Sequence, residues 1–132
     1  MPLTSDDQAK YRSLYFSTAK PYIQELQKAS KQFTGGVIDQ ERITLAHRSA
    51  HSLASQSKMM GYEQISSVTS LLEHILRAKL DNELEFQEAL LQTMEIAIEK
   101  VVEAINKLEA GENEMDLQAE YSALIAVSNI EM

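Results

Sequence analysis

Apolar side chains recur along most of the chain at steps of three and four residues, and they rarely alternate with polar ones. This spacing places them on one face of an α-helix, because an α-helix completes a turn every ~3.6 residues. Glycines and short polar runs separate four such stretches from one another and from a weaker fifth one. The pattern therefore predicts an all-α protein.

The first predicted helix runs from Ser5 to about Phe33 and contains Pro21 near its middle. A proline inside a helix removes one backbone hydrogen bond and crowds the preceding turn. We therefore expect either a bend near Ala19 or two abutting helices in this segment. The apolar stripe of the segment consists of Tyr15, Ala19, Tyr22, Leu26, Ala29 and Phe33.

The second predicted helix lies between two glycine signals. Gly35 and Gly36 end the first pattern, and Asp39 can cap the next helix by accepting hydrogen bonds from the free backbone donors of its first turn. Gly61 suits the left-handed position that commonly ends a helix. The inner positions of this helix are Ile43, Ala46, Ala50, Leu53, Ser57 and Met60.

Three further helices are predicted. The third runs from about Tyr62 to Leu80, and the fourth has the most regular stripe and ends before Gly111. A short fifth helix is expected over about residues 114–128, either packed across the others or loosely attached. The inner positions of the third helix are Ile65, Val68, Leu72, Ile75 and Lys79, and those of the fourth are Leu91, Met94, Ile98, Val101, Ile105 and Leu108.

Short connections between amphipathic helices make neighbouring helices antiparallel. The predicted fold is therefore an antiparallel up-down four-helix bundle with a short fifth helix at the C-terminus. We expect residues 1–132 to form a single domain with its core in about residues 5–110, since this length suffices for one modest core. Met59, Met60 and Met94 are expected to fill gaps in that core.

Composition limits the classes of function. The chain has 12 basic and 20 acidic residues, and its net charge of -8 opposes nucleic acid and anionic membranes, so we expect proteins as partners. It has no cysteine, which excludes disulfides and thiolate zinc sites. We find no membrane span, secretory signal or glycine-rich phosphate loop, so we expect a cytoplasmic protein that does not phosphorylate itself.

Two histidines lie four residues apart on the second predicted helix. His47 and His51 fall on a line displaced by about 100° from the core stripe, so both are expected at the edge of the core, facing water. An imidazole with a pKa of about 6.5 is mostly neutral near neutral pH, and its free nitrogen can take a phosphoryl group. The side chains around His51 are small and leave room for another protein's surface: Ala50, Ser52, Ala54 and Ser55.

The second nitrogen of such an imidazole needs a hydrogen-bond acceptor. Glu73 follows core position Leu72, so its carboxylate is expected at the margin of the third helix. There it could accept the N–H of His51, fix the tautomer and stabilise the cation that forms as phosphate arrives. Glu63 is the second candidate for this role.

The sequence resembles a histidine phosphotransfer (HPt) domain and is most similar to the amino-terminal phosphotransfer domain of chemotaxis-type histidine kinases. In that family the residue matching His51 is phosphorylated, and the residue matching Glu73 hydrogen-bonds its ring. The family fold is a four-helix bundle, with a fifth helix in the chemotaxis type. The resemblance extends from about Phe16 to Leu108 and rests on Glu25-Leu26, Arg48-Ser-Ala-His51-Ser-Leu53, Gly61 and Leu71-Leu72-Glu73.

The resemblance implies a phosphoryl carrier that is not itself an enzyme. A histidine kinase catalytic domain would supply the phosphoryl group, and an aspartate of a response-regulator receiver domain would accept it. Magnesium is expected on that partner only, and no cofactor or metal is expected on this chain. The residues expected to contact the partners are Arg48, Ser52, Ala54, Ser55 and Gly61.

The family motif is altered directly after the histidine. The family pattern is His-x-Leu-Lys-Gly-x-Ser, and this chain has His51-Ser-Leu-Ala-Ser-Gln-Ser. Ser55 is small enough to keep much of the role of the glycine, but Ala54 cannot supply the positive charge of the lysine. Lys58 is a candidate replacement, because it lies two turns and about 10 Å from His51 and its side chain leans toward the start of the helix.

The same residues leave three alternatives. A degenerate HPt-like interaction module would bind a receiver or a kinase without phosphotransfer, and the missing lysine favours it. His47 could be the phosphoryl acceptor in place of His51. His47 and His51 could instead hold a metal ion, although the glutamate of a zincin-type motif is absent between them.

Overall fold

Five α-helices and no β-strand occupy residues 5–130, the part of the chain that this computed structural model describes. Each of the first four helices packs against two neighbours in a ring, which confirms the predicted up-down four-helix bundle. None of the helices in this part of the chain is both long and apolar enough to cross a bilayer. The helices are α1 (Ser5–Thr34), α2 (Gln40–Met59), α3 (Glu63–Leu80), α4 (Glu88–Glu109) and α5 (Gln118–Ser128).

α5 packs on α3 and α4. Of the neighbouring helices in the ring, these two contact each other least. Leu117 and Leu124 are fully buried there. Two reciprocal hydrogen bonds hold its start: the Leu117 N–H donates to Gln64 Oε1 at 2.8 Å, and the Ile65 N–H donates to Glu114 Oε2 at 3.0 Å. The fifth helix is therefore packed on the bundle and not loosely attached.

α5 begins four residues later than predicted, at Gln118. The Gln118 N–H donates to Asp116 Oδ1 at 2.9 Å, so the aspartate side chain caps the first turn. The residues before it are not helical, since Glu114 hydrogen-bonds to the first turn of α3. A tertiary contact thus sets this boundary.

α1 is a single helix of 30 residues that continues through Pro21, so the alternative of two abutting helices is wrong. Pro21 is exposed, and the Ser17 carbonyl that loses its hydrogen bond to the proline also lies on an exposed residue, where water can reach it. Ala19 and Ile23 on either side are buried. Packing therefore holds both turns that flank the proline in one helix.

The predicted stripes form the core with few departures. All six inner positions of α4 are buried, and so are five of the six in α2. In α1 the buried face also includes Phe16 and Ile23, whereas Tyr22 is only partly buried. Lys79 is partly buried at the end of α3, with Nζ 5.5 Å from the centre of the Phe86 ring.

Both ends of α2 follow the prediction. The Asp39 side chain accepts a hydrogen bond from the first turn at 3.0 Å. Gly61 adopts a φ of +80°, and its N–H donates to the Lys58 carbonyl at 3.0 Å. The Tyr62 N–H donates to the Ser57 carbonyl at 2.8 Å, which completes a Schellman motif and fixes where α2 ends.

A buried polar contact joins α1 to α2. The Tyr15 hydroxyl lies 2.8 Å from Ser57 Oγ, and both residues are buried. The Tyr15 ring also packs edge-on against Phe16 and Tyr62. Burial raises the pKa of Tyr15 from 10.0 to about 12, although the hydrogen bond to Ser57 acts in the opposite direction.

Replacing Tyr15 with phenylalanine should lower the free energy of unfolding by about 1–2 kcal/mol, because the buried Ser57 hydroxyl loses its partner. In the wild-type protein, stability should also fall as pH rises above 10, because the unfolded tyrosine deprotonates near 10.0 and the folded one near 12. Tyr15→Phe should lack this part of the alkaline loss. Denaturant unfolding on either side of pH 10 measures both effects.

Tyr11→Phe is the matched control for this prediction, because Tyr11 is 48% exposed. It should leave the free energy of unfolding and its alkaline dependence close to those of the wild type. Equal alkaline loss in Tyr15→Phe and the wild type would contradict the assigned role of the buried hydroxyl.

Candidate functional site

His51 and Glu73 form a hydrogen-bonded pair between α2 and α3. His51 Nδ1 lies 2.8 Å from Glu73 Oε1. The His51 side chain is 62% exposed and that of Glu73 is 20% exposed, so the ring projects into solvent and the carboxylate is largely covered. A carboxylate can only accept, so Nδ1 carries the proton and Nε2 keeps a lone pair. The pair therefore presents a nucleophilic nitrogen at the surface.

The two helices that carry this pair make the most extensive helix contact in the bundle, and a turn of three residues connects them. Ser66 Oγ donates to the Ala54 carbonyl at 3.1 Å, which joins the helices about one turn from His51. Leu72, directly before Glu73, is fully buried. The carboxylate is therefore positioned by packed helices and not by a loop.

His47 approaches the same carboxylate from one turn earlier in α2. Its Nε2 lies 3.8 Å from Glu73 Oε1, and its side chain is only 18% exposed. The expectation that both histidines face water is right for His51 and wrong for His47, because the His47 ring is largely covered beside Glu73 of α3. Burial lowers the pKa of His47, Glu73 opposes this shift, and Arg77, His51 and His74 add to it.

These positions bear on two of the alternatives. An incoming group must reach a ring nitrogen, and the exposed fraction of the side chain is 62% for His51 against 18% for His47. The geometry therefore favours His51 as the acceptor. For the metal alternative, no three His, Cys, Asp or Glu side chains within residues 5–130 are arranged to hold a metal ion.

His51 lies in an open groove lined by α2, α3 and α5. Lys58 lines the same groove and is exposed, as is Glu63 in the first turn of α3. Glu73, and not Glu63, is hydrogen-bonded to the ring. Tyr121 of α5 also reaches this groove. The other lining residues are small: Ala54, Ser55, Ser66, Ser67 and Ser70.

The serines of α3 and Tyr121 were not identified from the sequence. A signal for the serines was present, because Ser66 and Ser70 precede Glu73 at steps of four and three residues and so share its helix face. Tyr121 gave no such signal, since its position depends on how α5 packs against the bundle.

The predicted partner-contact residues differ in exposure. Arg48, Ser55 and Gly61 are exposed, and Ser52 is partly buried. Ala54 is only 7% exposed and offers little surface to a partner. The accessible face of α2 beside His51 is therefore formed by exposed residues such as Arg48 and Ser55 and not by Ala54.

An apolar patch at the edge between α1 and α2 was also missed. Met59 is 87% exposed, Leu14 is 54% exposed and Tyr11 is 48% exposed, and the three line one shallow groove. The expected role as core filler therefore holds for Met60, which packs against the core, and is wrong for Met59. Because Met59 lies one turn after exposed Ser55, the patch continues the accessible face of α2.

Comparison with known proteins places this geometry in a family. The chain matches the Hpt domain family over residues 10–126. Its fold is similar to that of the phosphorylated P1 domain of CheA3, whose crystal structure is in complex with CheY6 from R. sphaeroides. The TM-score is 0.80 and the sequence identity is 12%, over 89% of this chain and 94% of that chain. No curated protein matches the chain significantly.

At 12% identity the structural likeness concerns the fold alone. The family match spans most of the sequence and includes both α2 and α3. The chain therefore belongs to the Hpt domain family, whose members are phosphocarrier modules and not catalysts.

Proposed function

We propose that this chain carries a phosphoryl group on His51 Nε2 between a histidine kinase catalytic domain and a response-regulator receiver domain. The observation that supports this most strongly is the 2.8 Å contact between His51 Nδ1 and Glu73 Oε1 beneath a ring that is 62% exposed. This contact holds the proton on Nδ1 and leaves Nε2 free to attack. Membership of the Hpt family supports the same role.

The proposed relay consists of two displacements at phosphorus. The Nε2 lone pair forms a bond to phosphorus while the bond from phosphorus to the leaving oxygen of the nucleotide breaks. The ring then carries a positive charge, because Nδ1 keeps its proton, and Glu73 stabilises that charge. In the second transfer a carboxylate oxygen of the receiver aspartate attacks phosphorus, the bond to Nε2 breaks, and its electron pair returns to the imidazole.

The bundle contributes position and charge to these steps. Phosphoryl transfer has a loose transition state with negative charge spread over the phosphoryl oxygens, so alignment and electrostatics supply most of the rate. We expect magnesium on the receiver and no metal or cofactor on this chain. The kinase supplies the nucleotide.

The phosphoryl oxygens need a positive partner that Ala54 cannot provide. Lys58 lines the same groove as His51 and is exposed, so its ammonium group is free to move toward the phosphoryl group. His51 and Lys58 are separated by about 10 Å along the helix axis. The Lys58 side chain leans toward the start of α2, which brings its ammonium group closer to His51. The hydroxyls of Ser55 and Ser70, in the same groove, offer neutral donors in addition.

The receiver is proposed to dock on the accessible face of α2, which includes Arg48, Ser55 and Met59. Small side chains near His51 allow close approach, and the apolar patch of Met59, Leu14 and Tyr11 offers surface that can be buried. The similar P1 domain of known structure is in complex with CheY6, which supports a receiver as partner. The net charge of -8 supports protein partners over nucleic acid or membrane.

The second candidate is a degenerate module that binds a receiver or kinase without accepting phosphate. The alanine at position 54, where the family motif has lysine, favours this candidate. The His51–Glu73 hydrogen bond favours phosphotransfer, because simple binding requires neither a free Nε2 nor a carboxylate behind the ring.

His51→Gln should abolish phosphoryl labelling while preserving the helical content measured by circular dichroism. In this test the protein is incubated with a panel of kinase domains and phosphorylated receivers. Phosphorylation of the protein is then measured as an acid-labile, alkali-stable label. His74→Gln is the matched control, because His74 is exposed on α3 and its Nδ1 is bonded to the Ser70 carbonyl at 2.7 Å. It should keep the label.

The outcomes of this experiment separate the candidates. Label that persists in His51→Gln would exclude His51 as the acceptor. Binding of a receiver or kinase by the wild-type protein, with no label from any partner in the panel, would favour the degenerate module.

Glu73→Ala should lower the labelling rate about ten- to a hundredfold, which corresponds to about 1.4–2.7 kcal/mol of lost orientation. The ¹⁵N chemical shifts of the His51 ring should change from a protonated Nδ1 and a free Nε2 to a mixture of tautomers. Glu63→Ala is the control, since Glu63 lines the same groove without being bonded to the ring. Equal rates in Glu73→Ala and the wild type would contradict the orienting role.

Lys58→Ala should lower the transfer rate about tenfold, because one charge near the phosphoryl oxygens is lost. Lys58→Arg should recover most of the rate. Lys28→Ala removes the same charge from an exposed position on α1 and should have little effect. Rapid-quench measurement of transfer to a receiver tests all three variants, and an unchanged rate in Lys58→Ala would show that this lysine does not replace the missing one.

A further inference from the structure

We propose that His47 is a positioning residue for His51, because the two imidazoles compete for one oxygen of Glu73. In this proposal, protonation of His47 draws the carboxylate away from His51 and slows phosphoryl acceptance. The inference rests on the proposed function of His51. Its geometric basis is that His51 Nδ1 lies 2.8 Å and His47 Nε2 lies 3.8 Å from the same atom, Glu73 Oε1.

The two contacts differ in kind. At 3.8 Å a neutral His47 is too far from the carboxylate for a hydrogen bond, so His51 is the ring that Glu73 orients. A protonated His47 would be attracted to the carboxylate by an ion-pair interaction, which water screens weakly because both side chains are only about one-fifth exposed, at 18% and 20%. A small rotation of the carboxylate toward His47 would lengthen the hydrogen bond to His51.

The groups around His47 decide when this competition occurs. Burial opposes protonation most, Glu73 of α3 favours it, and Arg77 and His74 of α3 and His51 of α2 oppose it. His47 therefore gains a proton only at a pH below the range of an ordinary histidine. At a pH where His47 is neutral, Glu73 interacts with His51 alone. At a pH low enough to protonate His47, both rings interact with the carboxylate.

A spectroscopic test needs no partner protein. The pKa of His47 is measured from the pH dependence of the histidine ring signals by NMR, in the full chain of the wild type, His51→Gln and Glu73→Gln. The pKa of His47 should rise in His51→Gln, because the influence of His51 that lowers this pKa is removed and the carboxylate is released. It should fall further in Glu73→Gln, because the attraction that opposes the burial is lost.

Opposite shifts would show that His47 is coupled electrostatically to both His51 and Glu73, as competition for one oxygen requires, and would distinguish this coupling from a purely structural role. His51→Gln and Glu73→Gln each place a neutral glutamine at one member of the His51–Glu73 pair. If the pKa of His47 shifted in the same direction in both variants, the cause would be a general change in packing. Shifts of the same sign, or no shift in either variant, would overturn the proposal that one oxygen serves both rings.

A kinetic test measures initial labelling rates against pH for the wild type and His47→Asn, with His47→Gln as a second variant in case the first does not fold. His51 must be neutral to attack, and protonation of His47 slows the reaction further. The wild-type rate should therefore fall more steeply with falling pH than the rate of the variant, by a factor approaching about a hundred per pH unit where both rings gain protons, against about ten for the variant. Equal slopes in wild type and variant would overturn the kinetic role of His47.

The two tests separate this inference from the proposed function. A wild-type protein that no partner labels would overturn the proposed function and, with it, the kinetic role of His47. The NMR titrations would still decide whether the two rings compete for Glu73, since they require no phosphoryl transfer.

Discussion

The packing of α2 against α3 is the constraint on which the site depends. His51 and Glu73 lie on different helices, and their 2.8 Å contact requires these helices to keep a fixed register. The Schellman motif at Gly61 ends α2 at a defined residue, and the Ser66 hydroxyl bonds to the α2 backbone near the site. Because the turn between the helices is short, an error in register at that turn would be carried to the histidine. Local backbone chemistry and helix packing therefore act together to orient one ring.

The site also depends on a gradient of exposure across three side chains. His51 is 62% exposed, Glu73 is 20% exposed and His47 is 18% exposed. The carboxylate is thus covered enough for its interactions to be weakly screened, while the ring that it orients remains open to a partner. A more exposed carboxylate would hold the ring less firmly. A fully buried one could not reach a ring that projects into solvent.

Local features were predictable from the sequence, and features set by tertiary contacts were not. The helix stripes, the Asp39 cap and the left-handed Gly61 follow from the spacing and chemistry of neighbouring residues. Continuity through Pro21, the covering of His47 and the exposure of Met59 depend on which helix lies beside each residue. The pairing of His51 with Glu73 was predictable only in part from local sequence. Angles on two helices placed both side chains at the core margin and made Glu73 the first candidate, ahead of Glu63, and the family resemblance implied the same pairing.

The altered motif raises the importance of the carboxylate. A lysine one turn after the histidine would stabilise the phosphoryl oxygens from outside the ring, but Ala54 has no charge and is nearly buried. Lys58 is farther along the helix, so in the proposed transfer more of the stabilisation would fall on Glu73, which lies behind the ring. A site that relies on one carboxylate is sensitive to any second group that binds it. In our proposal His47, 3.8 Å from the same oxygen, becomes such a group when it is protonated, so its protonation state should matter more in this chain than it would beside a site with the usual lysine.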